Sequence, residues 1–384
     1  MKTIQVNVFT TDLVWKGMIE NIKSFVYRSS WYGLENSELT ISRTAQGVEE
    51  MQIGRIIIVN NDLNKAMIIE DMTANVADDY WNFTLIPLKG MLNYRIAHPT
   101  DSGSFTQVSQ AAVMMSLVSK NLISQTRDDD RKFWNAARTK NLLSVAGTKT
   151  YGDLIDLTID WSSGALGDLI VEIANMFEDD IGVYPIGWNI YIKDTLDGYI
   201  MDTYKPTDRS IAQSVNSPVV FSEDFNNIKD ATYENSLKDW ITVAYMTWND
   251  GTNDQTTAVA SKKALTSFGF NRKEAILSSE YKKSSEVIAD GRSEINKHPK
   301  VESFTAEVLN NPNTMSTFEL DWFLGDIVTI QTKSIKKDQV VSVNAQIIEV
   351  EEIFDNGEYT INATFGEAKL SLIKKIKNAI KTKK

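Results

Sequence analysis

The hydrophobic positions of the first hundred residues fall in short β-branched and aromatic blocks. IGRIIIVNN (53–61), AMIIEDM (66–72) and WNFTLIPLKG (81–90) are separated by Asn and Asp turn signals and read as strands. NNDLNK (60–65) reads as the hairpin loop between the first two. From Ser104 the spacing changes. In FTQVSQAAVMMSLVSKNLIS (105–124), Val108, Ala111, Ala112, Met115, Val118 and Leu122 recur at helical spacing, and DDDR (128–131) ends the pattern. WSSGALGDLIVEIANMFEDDIG (161–182) reads as a second amphipathic helix, capped by Ser162 or Ser163 and ended by Gly182. WNIYIKD (188–194) follows as a strand.

Strand texture resumes at VVFSEDF (219–225) and WITVAYMTW (240–248), with NDGTNDQTT (249–257) as a polar loop. KEAILSSEYKKSSEVIADGRSEINK (273–297) is helical in its second half. VESFTAEVL (301–309), LGDIVTIQT (324–332), VSVNAQIIEVEEIF (341–354) and EYTINATFG (358–366) read as strands. The end of the chain, KLSLIKKIKNAIKTKK, reads as a basic helix with Leu370, Ile373, Ile376 and Ile380 along one side. The pattern divides the chain into a β domain at 1–100 and a mixed α/β module at 101–212. A second β domain follows at 213–366, with a partly helical insertion at 259–299, and then the basic helix at 367–384.

The two β domains echo each other. IGRIIIVNN, AMIIE (66–70) and NFTLIPLKG (82–90) match LGDIVTIQT, AQIIE (345–349) and EYTINATFG in the same order. Each set has a Gly before a strand, then Ala-x-Ile-Ile-Glu, then a strand ending in Gly. The echo predicts two related, tube-like β-barrels in an α+β, mainly β fold. A chain with two copies of one domain can form a pseudo-sixfold ring as a trimer.

Composition narrows the chemistry. The chain has 384 residues and no cysteine, which removes disulfides, thiolate catalysis and zinc–thiolate sites. The two histidines, His98 and His298, each precede a proline, and a multi-histidine metal site needs more. No run of 18 apolar residues occurs, and the N-terminal MKTIQVNVFTTDL lacks a signal-peptide core, so neither membrane insertion nor Sec-type secretion is expected. The net charge of −11 is the reverse of what a nucleic-acid-gripping protein carries. Lys369–Lys384 holds seven lysines and no acid, which leaves −18 on the other 368 residues. Residues 151–202 hold eleven acids and one base, Lys193, and read either as a solvated face or as a surface that repels a polyanion.

The sequence carries no catalytic motif. P-loop, dinucleotide-binding, nucleophile-elbow and zincin patterns are absent. Asp128-Asp129-Asp130 and the Asn249–Asp254 loop lack the alternation and closing Glu of a calcium loop. No catalytic, cofactor-binding or metal-binding residue is assigned, and no cofactor is expected. Trp31, Trp134 and Trp322 sit beside charged or turn residues and are candidates for exposed glycan-stacking rings or for packing.

FLGDIVTIQ followed by AQIIEVEEIFDNGEYTINATFGEAKLSLIKKIK, within 323–377, resembles the tail-hub proteins of long non-contractile-tailed phages. SFVYRSSWYGLENSELTIS (24–42), AMIIEDM, LKGMLNYRIAH (88–98), FSEDFNNIKDATYENSLKDWITVAYM (221–246) and FNRKEAIL (270–277) match other blocks of that family in order. The resemblance covers nearly the whole chain. It implies a homotrimeric hub of the tail tip or baseplate, similar to the N-terminal part of tail-associated lysins. Such a hub closes the tail tube below the distal-tail hexamer and opens for DNA ejection. Its implied partners are itself, the distal tail protein, the tape-measure protein and receptor-binding proteins, with phage DNA only in passage. The module at 101–212 would hang from the ring and help close the channel. The protein would be made in the bacterial cytoplasm and act in the virion. The chain stops at Lys384, without the long extension that carries a hydrolase in many relatives, so no enzymatic role is expected. A carbohydrate-binding receptor module is the alternative function; a cell-wall hydrolase would need an acid pair or metal site that the sequence does not single out.

Overall fold

The computed structural model describes residues 4–74, 77, 79–124, 131–135, 140–175, 184–260, 269–296, 298, 301–309, 317–333, 340–355 and 357–366. Seven strands open the chain: β1 (Val6–Phe9), β2 (Trp15–Ile19), β3 (Ile22–Ser30), β4 (Ser37–Ser42), β5 (Ile56–Val59), β6 (Met67–Thr73) and β7 (Tyr80–Pro87). The unbroken IIIV of β5 has a simple cause. Ile56 and Ile58 enter one core, Ile57 and Val59 another, so the strand is buried on both faces. Asp62 caps the 3-10 turn Leu63–Lys65 between β5 and β6 by accepting the Asn64 N–H.

The module contains a one-turn helix α1 (Pro99–Ser102), β8 (Ser104–Ser109), α2 (Gln110–Val118), β9 (Trp134–Asn135) and β10 (Lys140–Asn141). It continues through β11 (Leu143–Val145), β12 (Leu154–Thr158), α3 (Leu166–Ala174), β13 (Gly187–Ile192) and β14 (Tyr199–Tyr204). Its core is continuous with one face of the first β domain, through Ile56, Ile58, Ile68, Leu88 and Leu92. The helix expected from 105 begins at Gln110, because residues 104–109 pair with β12 instead. Gln107 adopts φ 52 with its N–H bound to the Asp156 carboxylate, and a left-handed residue does not continue a right-handed helix. The helix expected over 161–182 starts at Leu166. Asp160 caps a separate 3-10 turn, Trp161–Ser163, while Asn93 accepts the Asp168 N–H of α3 at 2.9 Å; Ser162 and Ser163 do not cap α3. Gly182 lies outside the described residues.

The second half comprises β15 (Val220–Ser222), β16 (Ile228–Ser236), β17 (Val243–Asn249), β18 (Asp254–Ala260), β19 (Glu274–Ser278), α4 (Ser284–Asn296), β20 (Val301–Val308), β21 (Ile327–Lys333), β22 (Val340–Asp355) and β23 (Glu358–Gly366). β17, β18 and β19 form their own sheet, with α4 packed against β17 and β18. Asp254–Thr257, expected within a loop, is the first part of β18. The basic stretch 367–384 lies outside the described residues. The protein is α+β and mainly β.

One large sheet dominates, in the order β16-β20-β23-β22-β3-β4-β7-β6-β5-β1-β2, with β21 pairing β22 and β15 pairing β21. Its two halves repeat. Gly54 N–H donates to Ile69 O at 2.8 Å and Ile69 N–H to Arg55 O at 2.9 Å. Gly325 N–H donates to Ile347 O at 2.8 Å and Ile347 N–H to Asp326 O at 2.8 Å. The next residue of each long strand, Glu70 or Ile348, is bulged out of register. Beyond the bulge, Asp71 faces Thr84 and Glu349 faces Thr364. The structure therefore superposes Ile69 on Ile347 and Asn82–Leu85 on Asn362–Phe365. That is one residue out from the letter match of AMIIE with AQIIE, and it does not match Gly90 with Gly366. β4 corresponds to β20 and β3 to β16, with Tyr27 at the place of Tyr233 and Ser30 at that of Ser236. Where the first repeat turns tightly from β3 to β4, the second carries the small layer of β17, β18, β19 and α4, which has its own core of Ala244, Met246, Val259, Val287 and Ile295.

Candidate functional site: the seam and free edges of the large sheet

The two repeats meet within the chain where β3 pairs antiparallel with the outer half of β22, Ser24–Ser30 against Asp355–Glu349. Arg28 Nε donates to Glu351 across this seam at 2.8 Å, and its Nη1 donates to Glu38 at 2.8 Å. Burial works against the guanidinium charge, but the bonds and charges of Glu38 and Glu351 outweigh it and hold its pKa above the ordinary value. Beside it, Lys65 bridges to Glu352 at 2.5 Å and Glu319 at 2.8 Å, and the Tyr359 hydroxyl donates to Glu352. Burial alone would lower the Lys65 ammonium; the two carboxylates hold it above its usual range. The Tyr27 phenol is pushed far up by burial and by Glu352.

Trp31 closes the end of the seam. Its N–H donates to Ile348 O at 2.8 Å, and its indole Nε1 donates to Pro185 O at 2.7 Å. The ring lies so close to Gly325 that a Cβ there would meet it at 2.2 Å; at Gly187 the same distance is 2.4 Å. Lys89, buried, donates to Ser30 O at 2.7 Å and to Trp188 O at 3.3 Å. First repeat, module and second repeat thus converge on Trp31, Lys89 and the Lys65 cluster. Sequence reading missed Lys65, Lys89, Glu319 and Glu352, because their partners lie far away in the chain. The Tyr-x-x-Ser spacing shared by β3 (Tyr27, Ser30) and its counterpart β16 (Tyr233, Ser236) was the available signal of the repeat.

The sequence candidates scatter. Trp322 is fully buried against Phe221, and Trp31 is half-buried in the seam, so neither is an exposed ring. The Trp134 side chain and Asp128–Asp130 lie outside the described residues. Exposed tryptophans are instead Trp15 and Trp161, at 57% and 69%. His98 packs on Trp161 and lies 3.6 Å from Asp101; His298 sits elsewhere, its backbone bonded to Ile295 and Ile241. In the Asn249–Asp254 loop, the Asp250 carboxylate accepts the Asn253 and Thr252 N–H groups, the Thr252 hydroxyl and the Gln255 amide, which holds its pKa well below the carboxylate range. Those bonds build the turn. Among the described residues no group of three His, Asp or Glu is placed to hold a metal ion. In the 151–202 stretch, Lys140 and Thr195 hold the Asp197 carboxyl down at about 2, while Asp160 and Asp168 serve helix starts.

The free edges of the sheet are the other feature. Among the described residues β16 has one strand neighbour, β20. Among the described residues the outer half of β6, from Glu70 to Thr73, pairs with β7 alone, since β5 bonds to its inner half. Both edges are places where another strand can add.

Comparison with known proteins agrees with this architecture. The 43 kDa tail protein of prophage MuSo2 from Shewanella oneidensis superposes with a TM-score of 0.56 at 10% identity, covering 95% of this chain and 98% of that one. A tail protein from Neisseria meningitidis MC58 gives 0.53 at 9% identity, covering 95% and 97%. Prophage tail protein gp18 from Listeria monocytogenes EGD-e gives 0.50 at 9% identity, covering 99% of each chain. No curated protein matches at the sequence level. A family model, described as Siphovirus ReqiPepy6 Gp37-like protein, matches residues 5–367. The chain therefore belongs to the Siphovirus ReqiPepy6 Gp37-like protein family and has the fold of phage tail proteins, in line with the resemblance carried by its sequence blocks.

Proposed function

We propose that the protein is the structural hub of the tail tip or baseplate of a long non-contractile-tailed phage. It acts as a homotrimer that closes the tail tube below the distal-tail hexamer and opens for DNA ejection. The observation that carries this reading is the repeated sheet. Two copies of one meander lie side by side in a single sheet, with a strand edge at either end of the pair that has no partner among the described residues. Three such chains supply six similar units, which suits a partner with sixfold symmetry. The distal tail protein, the tape-measure protein and receptor-binding proteins are its neighbours in this reading. DNA is a passing cargo, and the acidic excess favours passage without sticking. The module at 101–212 hangs from the ring and narrows the channel. The protein is made in the bacterial cytoplasm and works in the virion, with no enzymatic step, no cofactor and no stable membrane insertion. No helix among the described residues is long and apolar enough to cross a membrane.

The second reading, a carbohydrate-binding receptor module, rests on the exposed rings of Trp15 and Trp161. Light scattering after size exclusion separates the two. The hub reading expects three copies of 43.2 kDa, which is 129.6 kDa. A monomer that binds host glycans, and loses binding in Trp161→Ala, would replace it.

A further inference from the structure

The seam inside the chain is a template for the contact between chains. β22 corresponds to β6 and β3 to β16 through the paired registers of both repeats. The chain uses β22 and β3 to join its second repeat to its first. It leaves β6 and β16, their counterparts, on open edges. Carrying the seam register across, Ser30 opposite Glu349 becomes Ser236 opposite Asp71, and Arg28 opposite Glu351 becomes Glu234 opposite Thr73. We infer that β16 of one copy pairs antiparallel with the outer half of β6 of the next, Ser236 to Asp71 and Glu234 to Thr73. This names the contact through which the trimer closes, and it rests on the hub reading.

A second observation points the same way. Trp31 fills the space over Gly325 in the seam. Gly54 is the counterpart of Gly325, shares its left-handed backbone, at φ 83 against 93, and has nothing within 4 Å of an added Cβ. Beside it Ile53 is 58% exposed. The counterpart of Trp31 is Leu237, 42% exposed just past the end of β16. In the inferred junction the Leu237 of one copy reaches the open space over Gly54 of the next. Both halves of this apolar contact are present on the chain, each without its cover.

Charge sets the order of units. If β16 of another copy replaced β3 at the seam, Glu234 would face Glu351, and like charges directly opposite destabilise a strand pair. Against β6 it faces Thr73. The junction is head-to-tail, and such a contact closes a ring rather than a face-to-face pair.

Absence of cysteine makes the register testable by cross-linking. In the seam, Trp31 N–H bonds Ile348 O, so Arg28 and Glu351, two steps on and one off that parity, form a non-hydrogen-bonded pair. Thr73 and Glu234 inherit that geometry, whose Cα separation of about 4.5 Å falls within disulfide reach. A chain carrying Thr73→Cys with Glu234→Cys should oxidise to covalent dimers and a closed trimer. The yield should be roughly tenfold above that of Thr73→Cys with Tyr233→Cys, a pair one position out of this register. Leu237→Asp should raise the concentration for half-assembly roughly tenfold while leaving the unfolding of the separate chain unchanged. A trimer by light scattering that gives no cross-link at 73 and 234, or equal yield from both pairs, overturns the register and leaves the hub reading standing. A chain that stays monomeric at every concentration overturns both.

Discussion

Gly325 and Gly54 occupy the same place in the two repeats and have opposite surroundings. Gly325→Ala places a Cβ 2.2 Å from the Trp31 ring in a left-handed backbone, while Gly54→Ala meets only the backbone cost. The first should cost about 2–4 kcal/mol and the second about 1 kcal/mol in denaturant unfolding of the unassembled chain. Lys65 gives a pH signature. Its pKa is raised in the folded chain, so its contribution is complete below the ordinary value near 10.5 and is lost as pH climbs through the folded value. Tyr27 and Tyr359, kept neutral by burial and by Glu352, act in the same direction above 10.0. The unfolding temperature should therefore fall as pH rises above about 10, and the fall should be shallower in Lys65→Met. A pH profile identical to wild type would show that the cluster contributes nothing. The two glycines were legible as the Gly before a strand in each half of the echo, but the Lys65 cluster was not. A lysine such as Lys65 becomes distinctive only when β22 brings Glu352 to it from 287 positions away.

At the scale of elements, the strands were the legible part. Ile56–Val59 and Val340–Phe354 are runs that only a buried or paired strand accommodates, and their positions in the sequence and in the structure agree closely. The start of α2 was not legible, because Val108 keeps helical spacing with Ala111 and Ala112 although the backbone reverses at Gln107. The echo was visible but shifted, since a bulge consumes a residue without leaving a letter to mark it. The repeat also gives an element-level prediction. The layer of β17, β18, β19 and α4 sits where the first repeat has only the loop Trp31–Asn36, and it has a separate core. Replacing 237–300 by a copy of that loop should leave the large sheet folded, with its unfolding temperature within about 5 °C of the parent, because loop length alone changes closure entropy little. Loss of soluble folded protein would mean that the layer supports β16 or β20.

For the whole molecule, the question is whether an edge that stabilises nothing within one chain holds three chains together. Backbone parity separates these roles. In β3 the Arg28 N–H points to Ser37 on β4 and the Trp31 N–H points across the seam to Ile348. By the repeat, Glu234 corresponds to Arg28 and directs its N–H inward to β20, whereas Asn235 directs its N–H outward to the open edge. Proline removes one donor, so the two neighbouring positions should answer differently. Glu234→Pro breaks the ladder inside the chain and should cost about 3 kcal/mol of its stability. Asn235→Pro keeps that ladder, as edge strands tolerate proline on their open side, and should unfold within about 2 °C of the parent. Its effect should fall on assembly: the 129.6 kDa species of three 43.2 kDa chains should give way to the single chain. If Asn235→Pro assembles as the parent does, β16 is not the strand that joins one copy to the next, and the ring must close through another surface.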